Sequence, residues 1–417
     1  MNNLGSFRRK GINVNKYILL KTLTGLVILG NITHVQAQEQ HVEINFRNAY
    51  IDRNFTDADI ENTGSWSQSV SAFYRSSYTN TPIGVGVDLS TQYALRLSQD
   101  KHTSDSVLPF DANKQEQERH FLKYGATLKA KYENHELRVG ELWNNLPIIA
   151  VDPSRQLLSS HLGALYQGQW TSDLKVEVGH IAEVSPRNEE DFRKIAIKNA
   201  SGLHESDGLN YVDLNYQISP TIKAQYFYGD VTDLFDQHYF GLNYKWLTAL
   251  DFQTDVKGFI SKDSGDSKAG KIDNQNYAIL NKLNYGNHSF ALGYQQLEGD
   301  TAFPIPEGFM PQVYFINWNL TGFYKKDEKS WHAMYGYNFK DYVPGLNGLI
   351  KYANGYDFMG TSERNGRENE TNYVLNYKVQ NPVWAGLGFQ WVFIDYRSKY
   401  GNDMQENRIF TTYSMKF

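Results

Sequence analysis

Apolar and polar residues alternate along most of the chain, and the alternation continues to its last residue. From Ile409 to Met415, every second side chain can face an apolar environment, and the positions between them are polar except for Phe410. A period of two residues is that of a β-strand whose two faces meet different surroundings. The final residue, Phe417, is aromatic. A strand that alternates up to an aromatic carboxyl terminus is typical of the closing strand of a bacterial outer-membrane β-barrel.

The clearest internal alternation lies between Leu122 and Tyr132. The even-numbered residues there are Leu, Tyr or Ala, and Lys123, Lys129 and Lys131 stand among the residues between them. A one-residue shift of this strand would move the lysines into hydrocarbon, which costs about 2–4 kcal/mol each near the bilayer midplane. We therefore expect these lysines to face the inside of a barrel. Three further segments alternate in the same way: Val42–Arg53, Ser330–Phe339 and Thr371–Val379.

The connections between the strands fall into a short and a long class. Short breaks such as Glu133–His135, Ser219–Thr221 and Tyr285–Asn287 suit periplasmic turns, and long polar connections suit the extracellular side. The long connections are Gln99–Glu118, Ala150–His161, Ser185–Asp207, Lys262–Gln275, Glu298–Pro311 and Gly360–Glu370. Allowing about 20 residues for each tilted strand with its connection, the chain length predicts about 18 strands, with 16 as the alternative. We predict an all-β, transmembrane antiparallel β-barrel.

The first 37 residues have the pattern of a secretory signal peptide. Basic residues between Arg8 and Lys16 precede a short apolar run, Tyr17–Gly30, and Val35–Ala37 is a small-x-small cleavage site. The run is too short for a membrane-spanning helix, and the basic residues before it and the cleavage site after it are those of a signal peptide. We expect residues 1–37 to be removed, leaving a single barrel domain over residues 38–417.

The composition agrees with a barrel and excludes several other classes. The chain has 29 Tyr, 23 Phe and 8 Trp but a mean hydropathy of −0.56, as expected when only alternate residues meet lipid. It has no cysteine, so a disulfide or a cysteine-ligated metal is impossible. Residues 1–37 hold 5 of the 41 Lys and Arg and none of the 46 Asp and Glu, so the remainder has a net charge of 36 minus 46, or −10. This acidic surplus argues against nucleic acid as a partner.

A set of basic residues falls on inward positions of the predicted strands. Fixed positive charges in a pore with low-dielectric walls lower the barrier for a carboxylate or a phosphate. The alternative is that any water-filled lumen carries polar side chains, some of them basic. The inward basic residues are Arg47, Lys123, Lys129, Lys131, Arg138, Lys351, Lys378 and Arg408.

A series of short motifs, in order along the chain, resembles the OprD-type outer-membrane carboxylate channels of Gram-negative bacteria. The motifs are Arg47–Phe55, Trp66–Gln68, Thr81–Asp88, Leu108–Asp111, Leu146–Pro147, Ser154–Leu158, Tyr228–Asp230, Gln237–Tyr239, Gly299–Pro304, Asp327–Trp331 and Pro344–Leu346. The resemblance covers essentially all of the chain after residue 37.

The resemblance implies an 18-stranded barrel whose third long loop folds inward as a narrow constriction, and a ladder of Arg and Lys that guides carboxylates. Family members pass amino acids, small aromatic or aliphatic acids and, in some cases, carbapenem antibiotics. By position, Ser154–His161 would be the constricting loop, with Arg155 as its cation. Glu298–Pro311 would be a second inward-leaning loop, with Asp300 and Glu307 as acidic partners, although a loop-capping role suits Asp300 equally.

One departure from the family concerns the strand before the last. Family members often carry arginines there, whereas this chain has Gln390 and Val392 at the inward positions and Arg397 and Lys399 only further along. The basic ladder is therefore expected to be thinner on this side. A general diffusion porin with little specificity is the alternative function, and a structural or adhesin barrel a weaker one.

An enzymatic barrel is not expected. The histidines His102, His120, His161, His180 and His204 are scattered and show no spacing that pairs them with a nucleophile. The acidic stretch Asp263–Asp266 lacks the spaced ligands of a calcium site. We expect no catalytic residue, no metal and no cofactor. The expected partners are outer-membrane lipid and lipopolysaccharide and small carboxylate solutes. The protein is expected to be either a monomer or a labile homotrimer.

Overall fold

The computed structural model describes residues 40–57, 59–99, 104–308, 320–360 and 363–417, so the predicted signal peptide and Pro311 lie outside the described residues. All described residues belong to one compact unit, Val35–Phe417. Their strands, in chain order, are β1 His41–Phe55, β2 Thr63–Arg75, β3 Gly84–Arg96, β4 Phe110–Asp111, β5 Glu116–Gln117, β6 His120–Tyr132, β7 His135–Leu142, β8 Ser160–Gln169, β9 Leu174–Ser185, β10 Arg193–Lys194, β11 Ala196–Asn199, β12 Gly202–Glu205, β13 Leu209–Ser219, β14 Ile222–Val231, β15 Phe235–Lys245, β16 Asp251–Asp263, β17 Asp273–Tyr285, β18 His288–Gly299, β19 Lys329–Asn338, β20 Leu346–Phe358, β21 Gly366–Lys378, β22 Leu387–Ser398 and β23 Met404–Lys416.

Eighteen of these strands form one closed antiparallel barrel. Each barrel strand pairs with its neighbours along the chain, and β1 pairs with both β2 and β23, which closes the cylinder. The five remaining strands are short: β4 pairs with β5, β11 with β12, and β10 extends the edge of β9. The predicted all-β barrel is confirmed, and its strand number is 18 rather than 16. No helix in the described part of the chain is long and apolar enough to cross a membrane.

The inward and outward faces follow the predicted alternation. On β6, the side chains of Tyr124 and Leu128 are 76% and 64% exposed on the outer surface, whereas Lys123 and Lys129 are buried inside. The same parity holds on β19, where Trp331 is exposed and His332 is buried. The lipid-facing residues are thus apolar or aromatic, as hydrocarbon contact requires.

The closing strand β23 contains the one apolar residue that broke the predicted pattern. Phe410 faces inward and is buried together with Ile51 of β1, Phe121 of β6 and Leu157 of a long loop. Its ring also lies 4.2 Å below the guanidinium carbon of Arg47. The exception therefore marks the place where a loop folds back onto the inner wall.

The two ends of the barrel differ in the length of their connections. The short turns, such as 133–134, 220–221 and 286–287, lie at one end, which we assign to the periplasm. The opposite end, which we assign to the outside, carries nine connections, described except at residues 58, 100–103, 309–319 and 361–362: L1 56–62, L2 97–119, L3 143–159, L4 186–208, L5 232–234, L6 264–272, L7 300–328, L8 359–365 and L9 399–403. The connections predicted to be short lie at one end of the barrel, and those predicted to be long lie at the other.

Three of the loops fill one side of the barrel with apolar side chains. Ile148 and Ile149 of L3, Ile195 next to β10, and Phe303 of L7 pack against inward-facing residues of β9 to β18 such as Phe259. The Phe303 ring meets the Phe259 ring edge-on at 5.1 Å. The remaining wall, formed by β1–β3, β6, β7 and β20–β23, carries inward arginines such as Arg47 and Arg408.

Candidate functional site in the barrel lumen

Loop L3 folds into the barrel and is fastened to the polar wall. The Gln156 side-chain amide donates to the carbonyl oxygen of Arg47 at 2.7 Å and accepts from the Ser67 hydroxyl at 3.1 Å. The Leu158 backbone N–H donates to the Gln92 side chain at 3.0 Å. L3 is thus held against β1, β2 and β3. The inward loop spans 143–159, while Ser160 and His161, predicted as part of it, begin β8.

The tip of L3 is shaped by a local turn. The Asp152 carboxylate accepts from the Ser154 backbone N–H at 2.8 Å, and the Asp152 N–H donates to the Ser159 hydroxyl at 2.9 Å. Such an aspartate turn fixes the backbone on both sides of Pro153. The carbonyl of Pro153 accepts from the Arg47 guanidinium at 2.8 Å. The turn directs Arg155, which is buried, toward the wall strand β23.

Three arginines converge on one carboxylate there. The Arg53 guanidinium lies 2.5 Å from the Glu406 carboxylate, Arg408 donates to the same group, and Arg155 lies 4.0 Å from it. Glu406 is fully buried. Burial and then the positive charge of Arg408 hold the pKa of Arg155 well below its ordinary value. Positive charge therefore exceeds negative charge around Glu406.

A second carboxylate joins the tip of L3 to loop L4. Asp152 forms an ion pair with Arg187, whose guanidinium also donates to the Ser154 hydroxyl at 2.6 Å. Although burial acts in the opposite direction, Arg187 and the Ser154 hydrogen bonds hold the pKa of Asp152 below its usual range. Asp152 is therefore ionised at neutral pH and bound to L4.

Together these side chains form a group that we call the arginine cluster. Electrostatic interactions connect all of its members, and Arg155 interacts with both of its carboxylates. Arginine remains protonated in proteins under ordinary conditions. The cluster holds five positive charges against two negative ones. Its members are Arg47, Arg53, Arg155, Arg187, Arg408, Asp152 and Glu406.

Two predicted lysines on β6 make structural contacts rather than facing open water. The Lys123 ammonium donates to the carbonyl oxygens of Leu158, Ser185 and Pro186 at 2.7–3.1 Å, which ties L3 to L4. The Lys129 ammonium lies 2.6 Å from the Asp88 carboxylate and is fully buried. Both lysines face inward as predicted, but each is shielded by the groups that it binds.

A second row of charges lies nearer the periplasmic end. Arg138 pairs with Glu136 at 2.7 Å, and Arg75 pairs with Asp88 at 3.2 Å. Their side chains are 34% and 23% exposed, so both reach the lumen. Lys131 faces Glu136 across the strands, with its ammonium 5.7 Å from the Tyr78 ring. This row adds partly compensated positive charge below the arginine cluster.

The other predicted residues lie away from the cluster. Lys351 is buried on β20 and interacts electrostatically with Glu370 of β21. Lys378 is exposed at the periplasmic end of β21. The inward positions Gln390 and Val392 of β22 carry no charge.

The two predicted acids of L7 contact other loops. Asp300 has a side chain that is 56% exposed and forms ion pairs with Lys271 and Lys326. The Glu307 carboxylate lies 4.0 Å from Arg193 of L4, and its N–H donates to the Ala196 carbonyl at 2.8 Å. These contacts give no support to their predicted role as partners of Arg155. The carboxylates that do meet Arg155 are Asp152 and Glu406.

Sequence reasoning missed three charged members of this region, Asp152, Arg187 and Glu406, whereas alternation already places Arg53 on the inward face of β1. Glu406 shares the inward parity of Arg408, so the alternation of β23 could have identified it. Asp152 precedes Pro153 in the predicted constricting region. Arg187 carries no local signal, because its place depends on how L4 packs on L3. Within the described ranges, no group of three or more His, Asp or Glu side chains is placed to hold a metal ion.

Similarity to known proteins extends over nearly the whole chain. Residues 37–417 match the family described as outer membrane porin, OprD family. The chain is 26% identical over 384 residues to the Porin-like protein GalP of Pseudomonas putida, covering 89% of this chain and 91% of that protein. It is 26% identical over 380 residues to Porin D of Pseudomonas aeruginosa, covering 85% of each. The crystal structure of Acinetobacter baumannii OccAB4 is similar with a TM-score of 0.89 and 47% identity, over 92% of this chain and 99% of that one.

Proposed function

Because the chain belongs to the OprD family of Gram-negative outer-membrane porins, we propose that it is a substrate-selective channel for passive uptake of small carboxylate-bearing solutes. Amino acids and small organic acids are the proposed solutes, with carbapenem antibiotics as further candidates of the same chemistry. The observation that carries the proposal is the arginine cluster at loop L3, where five guanidinium groups outnumber two carboxylates. Such an excess attracts anions and repels cations.

Arginine is the side chain that suits this task. Its planar guanidinium matches a carboxylate through two parallel hydrogen bonds and is less strongly hydrated than an ammonium group. A solute that enters from outside would first meet Arg53 and Arg187, whose side chains are 20% and 21% exposed. It would then pass the tip of L3, and afterwards the partly exposed Arg75 and Arg138.

The fixed carboxylates keep binding weak enough for transport. Conduction requires a solute to leave a site as readily as it enters. Glu406 and Asp152 occupy part of the donor capacity of the cluster, so an incoming carboxylate competes with them and is released again. A wall of arginines without these acids would bind anions more tightly and release them more slowly, which limits the flux once the site is saturated.

Planar-bilayer recording tests the proposal against a general diffusion porin. The protein is purified from outer membranes, and its reversal potential is recorded across a salt gradient. Benzoate, glutamate, arginine and glucose are then added in turn. We expect an anion-selective reversal potential, and small single-channel steps that carboxylate-bearing solutes reduce and glucose leaves unchanged. Large ohmic steps that are insensitive to all four solutes would favour the general porin.

A further inference from the structure

Resting on the carboxylate channel proposed above, we propose that the preferred solutes carry two carboxylates rather than one. The arginine cluster has two places where a carboxylate is held, and its positive charge exceeds what one solute carboxylate can balance. A small dicarboxylate is the chemical class that matches both features.

The charge balance is the first observation. Among the members of the cluster, five positive arginines stand against the two carboxylates of Glu406 and Asp152, which gives the cluster a net charge of plus three. A zwitterion adds no net negative charge and brings an ammonium group that the cluster repels. A monocarboxylate compensates one charge, and a dicarboxylate compensates two.

The arrangement of the accessible arginines is the second observation. Arg53 contacts Glu406 on the wall, and Arg187 contacts Asp152 on the loop side. Buried Arg155 interacts with the carboxylates of both ion pairs. The partly exposed guanidinium groups of Arg53 and Arg187 therefore belong to two different subsites. A solute with a carboxylate at each end offers one carboxylate to each subsite, whereas a monocarboxylate offers one in all.

Unused hydrogen-bond donors are the third observation. The Nε atoms of Arg47 and Arg155 are buried and have no hydrogen-bond partner among the described residues. A buried donor without an acceptor is unfavourable, and more so on a charged group. The fixed carboxylates therefore do not use all the donors of the cluster, and its positive charge is not saturated from within.

Three solutes with one skeleton separate this inference from the proposed function. Succinate, succinamate and succinamide carry two, one and no carboxylates and differ otherwise only by amide groups of similar size. Uptake of each radiolabelled compound is measured at pH 7.5 into proteoliposomes that contain the purified protein. We expect succinate to enter about fivefold faster than succinamate, the effect of one more charge pair in watery surroundings, and succinamide to be slowest.

Arg187→Gln removes the accessible cation of the loop-side subsite. This variant should bring succinate uptake down to the rate of succinamate while changing succinamate uptake little. Arg193→Gln is the matched control, because Arg193 lies in the same loop and pairs with Glu189 at 2.9 Å and with Glu307 at 4.0 Å. It should leave the succinate-to-succinamate ratio unchanged. If Arg187→Gln does not fold, Arg53→Gln serves for the wall-side subsite.

Each outcome has a distinct meaning. Equal uptake of succinate and succinamate, both faster than succinamide, would overturn the dicarboxylate preference and leave the carboxylate channel standing. Equal uptake of all three compounds would overturn the carboxylate channel itself. A succinate preference that survives in folded Arg187→Gln and folded Arg53→Gln would also overturn the two-subsite inference.

Discussion

Replacing Glu406 with glutamine changes the charge of the arginine cluster without changing its shape. Glu406 is fully buried, and Arg53 and Arg155 lie 2.5 and 4.0 Å from it. Glu406→Gln would raise the excess positive charge from three to four. Two unit charges about 8 Å apart interact by roughly 0.5–2 kcal/mol, depending on the local dielectric. A solute carboxylate held at Arg187 should therefore bind roughly 2- to 30-fold more tightly in the variant.

The same substitution should weaken the barrel wall. Removing one partner of a buried ion pair leaves the other charge uncompensated, which costs about 3–5 kcal/mol. Heat-induced loss of the compact electrophoretic form should therefore occur at a lower temperature in Glu406→Gln than in wild type. The variant is studied functionally at temperatures where it stays folded.

The functional assay is the bilayer recording with succinate as a blocker. Glu406→Gln should shift the reversal potential toward stronger anion selectivity and lower the succinate concentration that halves the current. Glu298→Gln is the control, because Glu298 lies on the outward face of β18 and accepts from Gln296 at 2.6 Å. An unchanged reversal potential and unchanged block in folded Glu406→Gln would refute the idea that solutes pass within the field of the cluster.

Three further predictions concern the loops. Lys123→Met should cost about 1–3 kcal/mol for each of the Leu158, Ser185 and Pro186 carbonyls that loses its donor, and open-channel current noise should rise; a quiet current at wild-type stability would contradict the tethering role. Replacing residues 146–157 with a short Gly-Ser linker should raise single-channel conductance severalfold, and unaltered conductance would mean that another loop sets the bore. Burial, followed by the Glu368 carboxylate, raises the pKa of Glu328 at the end of L7 to about 9. Glu328 is therefore protonated in the folded protein at neutral pH, and its contribution to stability is complete below the ordinary glutamate pKa and lost as the pH rises through about 9. Thermal stability relative to Glu328→Gln should accordingly fall between about pH 5 and pH 10, and a flat difference would contradict this.

Alternation along the chain was enough to predict the barrel and the facing of its strands. A strand's two faces are set by a period of two residues, which is a local property, so the sequence alone assigns Tyr124 to the outside and Lys129 to the inside. Phe410 stands out in the sequence as an apolar residue on an inward position. L3 folds onto the wall at this point, so Phe410 is buried together with Ile51 and Leu157.

The candidate site was predictable only in part. The side of the barrel wall on which a residue lies does not determine which groups its side chain contacts. Alternation places Lys129 inside, but cannot show that Asp88 shields it from the lumen. The resemblance placed Arg155 in the constricting loop, where the structure also has it. Arg187 depends on packing between L3 and L4, and no local pattern encodes such long-range contacts. Long-range packing also decides the position of Asp300. The resemblance predicts this residue near the constriction, whereas its ion pairs are with Lys271 and Lys326.

The central claim is that solute carboxylates pass along the arginine cluster. The most direct test is a crystal structure with a bromine-labelled dicarboxylate such as bromosuccinate, located by the anomalous signal of its bromine. We expect the strongest bromine peak in the lumen beside loop L3, with the solute's carboxylates on Arg53 and Arg187. Bromine peaks only at the extracellular rim or on the outer surface, at a solute concentration that blocks the current, would contradict the claim.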